Sequence, residues 1–278
     1  MSQVNFTIQA ATLEDVPVMA KMWADAFKLD GNTQVKAQGG DGYDLEEIGN
    51  SEFKNYLASP KCRLIKAVND TTGETMGWCC WGFRGFNEGE VPALPNPNNI
   101  ERQQTSLEDV TEVQWKDEKA RATDNVKDEE PVSIVGEEIS KGEPEELEPA
   151  KRLAKLTNDD MARMMEILMP EGTKCMFIVS LTVSPVWQSR GVGSALLRWG
   201  TENADKAGVF AWVHSSDSAW RTYARGGFEV ITTLDIDLDE YATGPPPSKE
   251  LEGAEGKWGH YVFRWMKRLP LAAAPGTQ

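Results

Sequence analysis

MFIVSLTVSPVWQSRGVGSALLRWGTENADKAG, residues 176–208, decides how the rest of the chain is read. Met176 to Val183 is almost wholly apolar and rich in β-branched residues, the composition of a strand covered on both faces. Pro185 ends it. Gln188-Ser189-Arg190-Gly191-Val192-Gly193 follows, and Ser194-Ala195-Leu196-Leu197-Arg198-Trp199 runs straight on. Val192, Ala195, Leu196 and Trp199 recur at helical spacing, which predicts an amphipathic helix that stops at Gly208. A glycine turn entering a helix leaves backbone N–H groups unpaired and pointing the same way, and the helix dipole adds partial positive charge. Such a turn suits an anion, and glycine lets a pyrophosphate approach without a Cβ in its way.

The spacing separates several kinds of strand-to-helix turn. A P-loop needs Gly-Lys followed by Ser or Thr, and none follows here. A dinucleotide fingerprint needs a small residue at position 196, where this chain has Leu196. A tight turn with no ligand is the plain alternative. The pattern that fits is Gln-x-x-Gly-x-Gly at 188–193 after a strand reading Leu181-Thr182-Val183. It resembles the acetyl-CoA loop of the GNAT superfamily of acyl-CoA N-acyltransferases. Val209-Phe210-Ala211-Trp212-Val213-His214 reads as a second short strand. Ser216, Ala219, Tyr223 and Gly227-Phe228 then stand at the spacing of that family's second signature, with Ser216 where the family often has Asn. The resemblance is loose over residues 4–83, close over 151–267, and absent over 84–150.

The resemblance implies an α/β fold, a mixed central sheet flanked by helices, carrying a long acidic insertion. Acetyl-CoA enters as co-substrate, and no metal is expected. Leu181, Thr182 and Val183 would offer backbone groups to pantetheine and the thioester carbonyl. Gln188, Ser189, Arg190, Gly191, Val192, Gly193 and Ser194 would surround the pyrophosphate, with Ser216 a further contact. Tyr223 would protonate the departing thiolate: a phenol with a pKa of about 10 beside a thiol of about 8.5 donates at modest cost in a dry site. The side chains of Arg190 and Tyr223 also admit bland readings, as a solvated arginine and a packed tyrosine.

The formal net charge of −15 sits mainly in one segment. Residues 84–150 hold 18 acidic and 7 basic side chains, so the acidity says little about the site. It argues against nucleic acid or an anionic membrane as partner. Cys62, Cys79, Cys80 and Cys175 show no metal-ligand spacing and read as reduced core thiols, Cys79 and Cys80 on opposite faces of a strand. With no leader or membrane-spanning run, a reducing cytoplasmic setting is expected.

Along the chain, Val4–Ala10 reads as a strand, and Thr12 as the N-cap of a helix striped by Val16, Met19, Trp23 and Phe27. Asp30–Gly42 reads as a loop, and Asp44–Leu57 as a helix interrupted near Gly49. In the resembling family, this loop and helix help wall the acceptor site. Arg63–Val68 and Thr75–Trp81 form a hairpin; Trp78 and Trp81 read as core, with an acceptor pocket as the alternative. The expected organisation is an N-terminal part (1–83), a disordered acidic insertion (84–150) with a short helix over 105–119, a C-terminal part (151–268) and a tail (269–278). Residues 152–168 read as a helix bent near Thr157, and Glu229–Leu238 and Trp258–Met266 as strands.

The general base stays open at this level. His214, Asp41, Asp44, a water chain or an amine that arrives neutral each satisfy the chemistry. The reading of function is acetyl transfer from acetyl-CoA to a primary amine, of a small molecule rather than a peptide. Its rival is a non-catalytic acyl-CoA-binding or interaction module of the same fold.

Overall fold

Seven strands form one sheet in the computed structural model, which describes residues 5–39, 44–95 and 148–271. They are β1 (Phe6–Ala10), β2 (Cys62–Asn69), β3 (Thr75–Arg84), β4 (Cys175–Val183), β5 (Ala211–Ser215), β6 (Glu229–Asp237) and β7 (His260–Arg268). Their spatial order is β1-β2-β3-β4-β5-β7-β6, and every neighbouring pair is antiparallel except β4 and β5. The helices are α1 (Val16–Phe27), α2 (Gly31–Ala37), α3 (Leu45–Ala58), α4 (Pro149–Leu168), α5 (Val192–Ala207) and α6 (Trp220–Arg225).

Alternation along the strands divides the core between the two faces. Leu64, Trp78 and Cys80 pack with Met19 and Phe53, under α1 and α3. Ile65, Cys79 and Trp81 pack with Val192, Leu196 and Leu197, under α5. The adjacent cysteines thus face opposite ways, both fully buried. Trp78 and Trp81 are 0% exposed and belong to the core rather than to a pocket.

The feature that positions the site is where β4 leaves its neighbours. Its parallel pairing with β5 covers only Met176–Ile178 against Ala211–Val213. Against β3, Cys80 pairs with Ser180 and Trp81 with Ile178, so Val179 is the extra residue of a bulge. A bulge bends its strand and raises the local twist. Leu181–Val183 therefore pair with β3 on one side only, and a gap opens beside the end of β5.

Several expectations need correction. Thr12 caps a short 3-10 turn, its hydroxyl donating to Asp15, and α1 begins only at Val16. The stretch expected as a loop contains α2: Asp30 caps it by accepting from the Thr33 amide at 2.9 Å, and fully buried Val35 anchors it. Gly49 does not interrupt α3. A Cβ there would come within 3.1–3.3 Å of Ala20 and Trp23, so the glycine lets α1 and α3 approach. Helix α4 runs unbroken through Thr157, whose hydroxyl bonds back to the Leu153 carbonyl at 3.1 Å. Part of the stretch expected as an acidic insertion from residue 84 is described. Phe86, Val91 and Leu94 pack on the core, and the Arg63 guanidinium donates to the Pro92 carbonyl at 3.0 Å. Residues 96–147 of that stretch, its expected helix over 105–119 included, lie outside the described residues.

On α5 the buried stripe is Val192, Leu196, Leu197, Gly200 and Ala204, with Ala195 and Trp199 on its flanks. Gly200 is there because Trp81 lies across it: a Cβ would fall 2.0 Å from the indole. Trp81 is fully enclosed, and its Nε1 donates to the Leu196 carbonyl at 3.4 Å, so the ring has nowhere to go. Gly200→Val should cost about 3 kcal/mol, the upper part of the overpacking range. Thermal unfolding should register this as a drop of roughly 6–12 °C; an unchanged Tm would show that Trp81 can swing aside.

Candidate active site

The turn between β4 and α5 takes the shape its sequence suggests. Ser189 (φ 59°) and Gly191 (φ 85°) are both left-handed, a conformation that favours glycine at the second. The chain then enters α5, whose C-terminus closes on left-handed Gly208. Gln188 clamps the loop, its amide Nε2 donating to the Val183 carbonyl at 3.2 Å. Nothing stands within 4 Å of a Cβ built on Gly191, and one built on Gly193 would meet only Val183, Thr222 and Leu181 at 3.5–3.9 Å. Protein packing therefore does not demand glycine at 193. The room that its missing Cβ leaves opens into a cavity.

That cavity holds about 410 Å³ and is lined by Leu181, Thr182, Val183, Gln188, Ser189, Gly191, Gly193, Ser194 and Ser216, with Ala219, Thr222 and Arg225 of the α6 region. Nine of the residues singled out from the sequence thus meet around one space. Three do not line it. Val192 is 1% exposed and packs in the α5 core, so only its backbone belongs to the turn. Arg190 lays its guanidinium over the Trp187 ring, 5.3 Å from the centroid. Tyr223 is 5% exposed and packs edge-on against Phe228, one residue beyond Thr222 at the cavity wall. Burial pushes its phenol well above the ordinary value, with Cys79 adding to the shift, so it holds its proton throughout the working pH range.

A second cavity of about 270 Å³ adjoins the first, and Phe27, Asp30 and Ser216 line both. Its walls come from several elements. Trp23 and Phe27 stand on α1, Asn32 and Lys36 on α2, Glu52, Phe53 and Tyr56 on α3, Val179 and Ser180 at the β4 bulge, and His214 on β5. Tyr261 and Phe263 close it from β7. Asp30 is fixed by the Tyr261 hydroxyl, which donates to it at 2.5 Å. Lys36 donates to the Thr157 hydroxyl at 2.8 Å. Burial, with the Glu52 carboxylate close by, raises the Tyr56 phenol well above its usual range.

His214 stacks on Phe263 and Trp265, with centroids 4.5 and 4.3 Å away. Enclosure lowers its pKa to about 4, Asp160 pulling it up and Lys36 pushing it down. It is neutral at neutral pH. Of the other candidates for a base, Asp44 caps α3 by accepting from the amides of Glu46 and Glu47 and lines neither cavity. Asp41 lies outside the described residues. Sequence reading missed Asn32, Lys36 and Glu52; for the first two, Asp30-x-x-Thr33, the cap of α2, was the available signal.

Residues 107–228 match the model of the acetyltransferase (GNAT) family, a match that begins well upstream of residue 151, where the close part of the sequence resemblance starts. The stretch that matches a GNAT acetyltransferase thus includes the strand, turn and helix of residues 176–208. The chain's fold is shared with solved structures of low identity. A mosquito arylalkylamine N-acetyltransferase like 5b is 14% identical, with 95% of this chain and 100% of that one covered at a TM-score of 0.53. Arylalkylamine N-acetyltransferase 2 from Aedes aegypti is 13% identical, with 95% and 99% covered and a TM-score of 0.52. Drosophila melanogaster polyamine N-acetyltransferase is 12% identical, with 95% and 100% covered and the same TM-score of 0.52. No curated protein matches the chain in sequence. Among the described residues, no helix is long and apolar enough to cross a membrane.

Proposed function

We propose that this chain is an N-acetyltransferase that moves an acetyl group from acetyl-CoA to a primary amine. The observation that carries the reading is the gap between β4 and β5, opening directly onto a glycine turn at the start of a sixteen-residue helix. That arrangement suits a donor with a pyrophosphate at one end and an extended arm at the other. The pyrophosphate belongs at the amides of residues 190–194, where the helix dipole and unpaired N–H groups favour anions. The cradle left by Gly191 and Gly193 fits such a group without displacing protein atoms. The pantetheine arm belongs along Leu181–Val183, whose edge toward β5 has no strand partner. Arg190 contributes through its backbone, its side chain being engaged with Trp187.

Acyl transfer needs a neutral amine, donors for the oxyanion, and a proton for the leaving thiolate. We assign the proton to Tyr223. The phenol is protonated, and the residue before it lines the donor cavity. The mosquito and fly proteins above are named for arylalkylamine and polyamine acetylation, and an amine acceptor is the reading adopted here. The test is an amine panel with acetyl-CoA, following free thiol. Thiol release that rises with one class of amine is expected; release no faster than without amine, across the panel, would refute the assignment.

A further inference from the structure

We propose that the second cavity is the acceptor site for a primary amine carried on a compact, flat apolar body, and that His214 takes the amine's proton as the new bond forms. The inference rests on the acetyl-transfer reading and adds the acceptor and the base to it.

The cavity is walled by the rings of Trp23, Phe53, Tyr56 and Phe263. At about 270 Å³ it lies just below the usual size of drug-binding pockets, room for a small molecule and not for a folded peptide segment. Two of its lining residues each hold a buried polar atom without a hydrogen-bond partner among the described residues, Asn32 Oδ1 and His214 Nε2. A carbonyl oxygen always accepts, and the imidazole Nε2 accepts when the proton sits on Nδ1. Buried polar atoms left unpaired cost stability, and a ligand that donates to both removes the cost. A primary amine is such a donor, and flat rings suit its apolar body. Ser216, two residues after His214, lines both cavities, so an amine held near His214 lies toward the thioester side.

The charges facing His214 fit a proton that comes and goes. Asp160 approaches from α4 and Lys36 from α2, and Glu52, Asp30 and Tyr261 share the cavity. A free ammonium is too weak an acid to give its proton to an imidazole of such low basicity, so the amine enters neutral, having left that proton in solvent. The nitrogen becomes far more acidic once it attacks the acetyl carbonyl. The C–N bond then forms, the nitrogen's proton passes to Nε2, and the C–S bond breaks with its electron pair leaving on sulfur. The imidazolium so made is stabilised by stacking on Phe263 and Trp265 and by Asp160.

The test compares single-turnover acetylation of 2-phenylethylamine by the wild type and His214→Gln. Expressed per neutral amine, the wild-type rate should be flat from about pH 6 to 9, because a base that titrates near pH 4 stays neutral there. The variant should lose about 10²–10⁴-fold and regain rate as pH rises, with CoA affinity unchanged. A short peptide amine should be acetylated poorly by both. The chain has two histidines, so ¹⁵N-histidine NMR of the wild type gives a second readout that does not depend on the variant folding. Adding 2-phenylethylamine with CoA should move the His214 Nε2 resonance and leave exposed His260 in place. A variant with the wild-type rate and pH profile, or an Nε2 resonance that ignores the amine, would overturn the role of His214 alone. Preference for the peptide would overturn the acceptor class. A wild type that acetylates no amine would overturn the acetyl-transfer reading and this inference with it.

Discussion

Gly191→Asp should weaken acetyl-CoA binding by about two orders of magnitude while the domain stays folded. Gly191 is the left-handed residue at φ 85° immediately before α5, and no protein atom stands within 4 Å of its Cβ position. Aspartate tolerates that conformation better than most residues, at a strain of about 1 kcal/mol. The loss arises from its charge. A carboxylate about 5 Å from a pyrophosphate charge, at an effective dielectric of about 20, repels it by about 3 kcal/mol. Gly191→Asn carries nearly the same shape and the same backbone preference without the charge, so it should bind within a few-fold of wild type. Calorimetric titration of both variants separates the two effects. CoA-dependent thermal stabilisation should vanish for the aspartate and persist for the asparagine. Equal and undiminished affinity in both would move the pyrophosphate away from this turn.

Tyr223→Phe should lower kcat by about 10²–10⁴-fold with little change in CoA affinity. The substitution keeps the ring and its edge-on contact with Phe228, 6.1 Å between centroids, and removes only the hydroxyl. Burial raises the phenol's pKa, which keeps the acid loaded but makes it a reluctant donor. Transfer then depends on a thiolate whose own basicity rises in the same dry surroundings. If neither kcat nor affinity moves, Tyr223 is a packing residue of the α5 face, and the thiolate takes its proton from water. Weaker CoA binding at unaltered kcat would make the hydroxyl a binding contact instead.

The sequence displayed the first cavity more openly than the second, for a physical reason. The strand, turn and helix of residues 175–207 are local. An apolar run bounded by Pro185, a glycine pair and a 3.6-residue stripe each report their own structure within a few positions. The second cavity is built by tertiary approach. Its walls come from elements as far apart in sequence as Trp23 and Phe263, and no spacing rule connects them. Helix α2 was hidden because its seven residues carry one deeply buried apolar anchor, Val35, inside a polar, glycine-rich stretch. The Val179 bulge left no mark either, since it falls within a run of strand-forming residues that read equally well without it. Tyr223 shows the opposite case. Its spacing from Ala219 was legible, but its placement behind the cavity wall depends on α6 packing against α5. Residues 85–95, with two Pro, two Glu and two Gly, carry their core contacts through Phe86, Val91 and Leu94, which composition does not signal.

The most direct test of the account is a mass balance. The purified chain would be incubated with acetyl-CoA labelled in the acetyl carbonyl and with 2-phenylethylamine, and thiol and labelled amide would be quantified together. The account predicts one labelled amide for each thiol released, with Gly191→Asp losing both in parallel. Thiol released without amide, or neither product above the level of the amine and thioester mixed without protein, would contradict acetyl transfer to an amine.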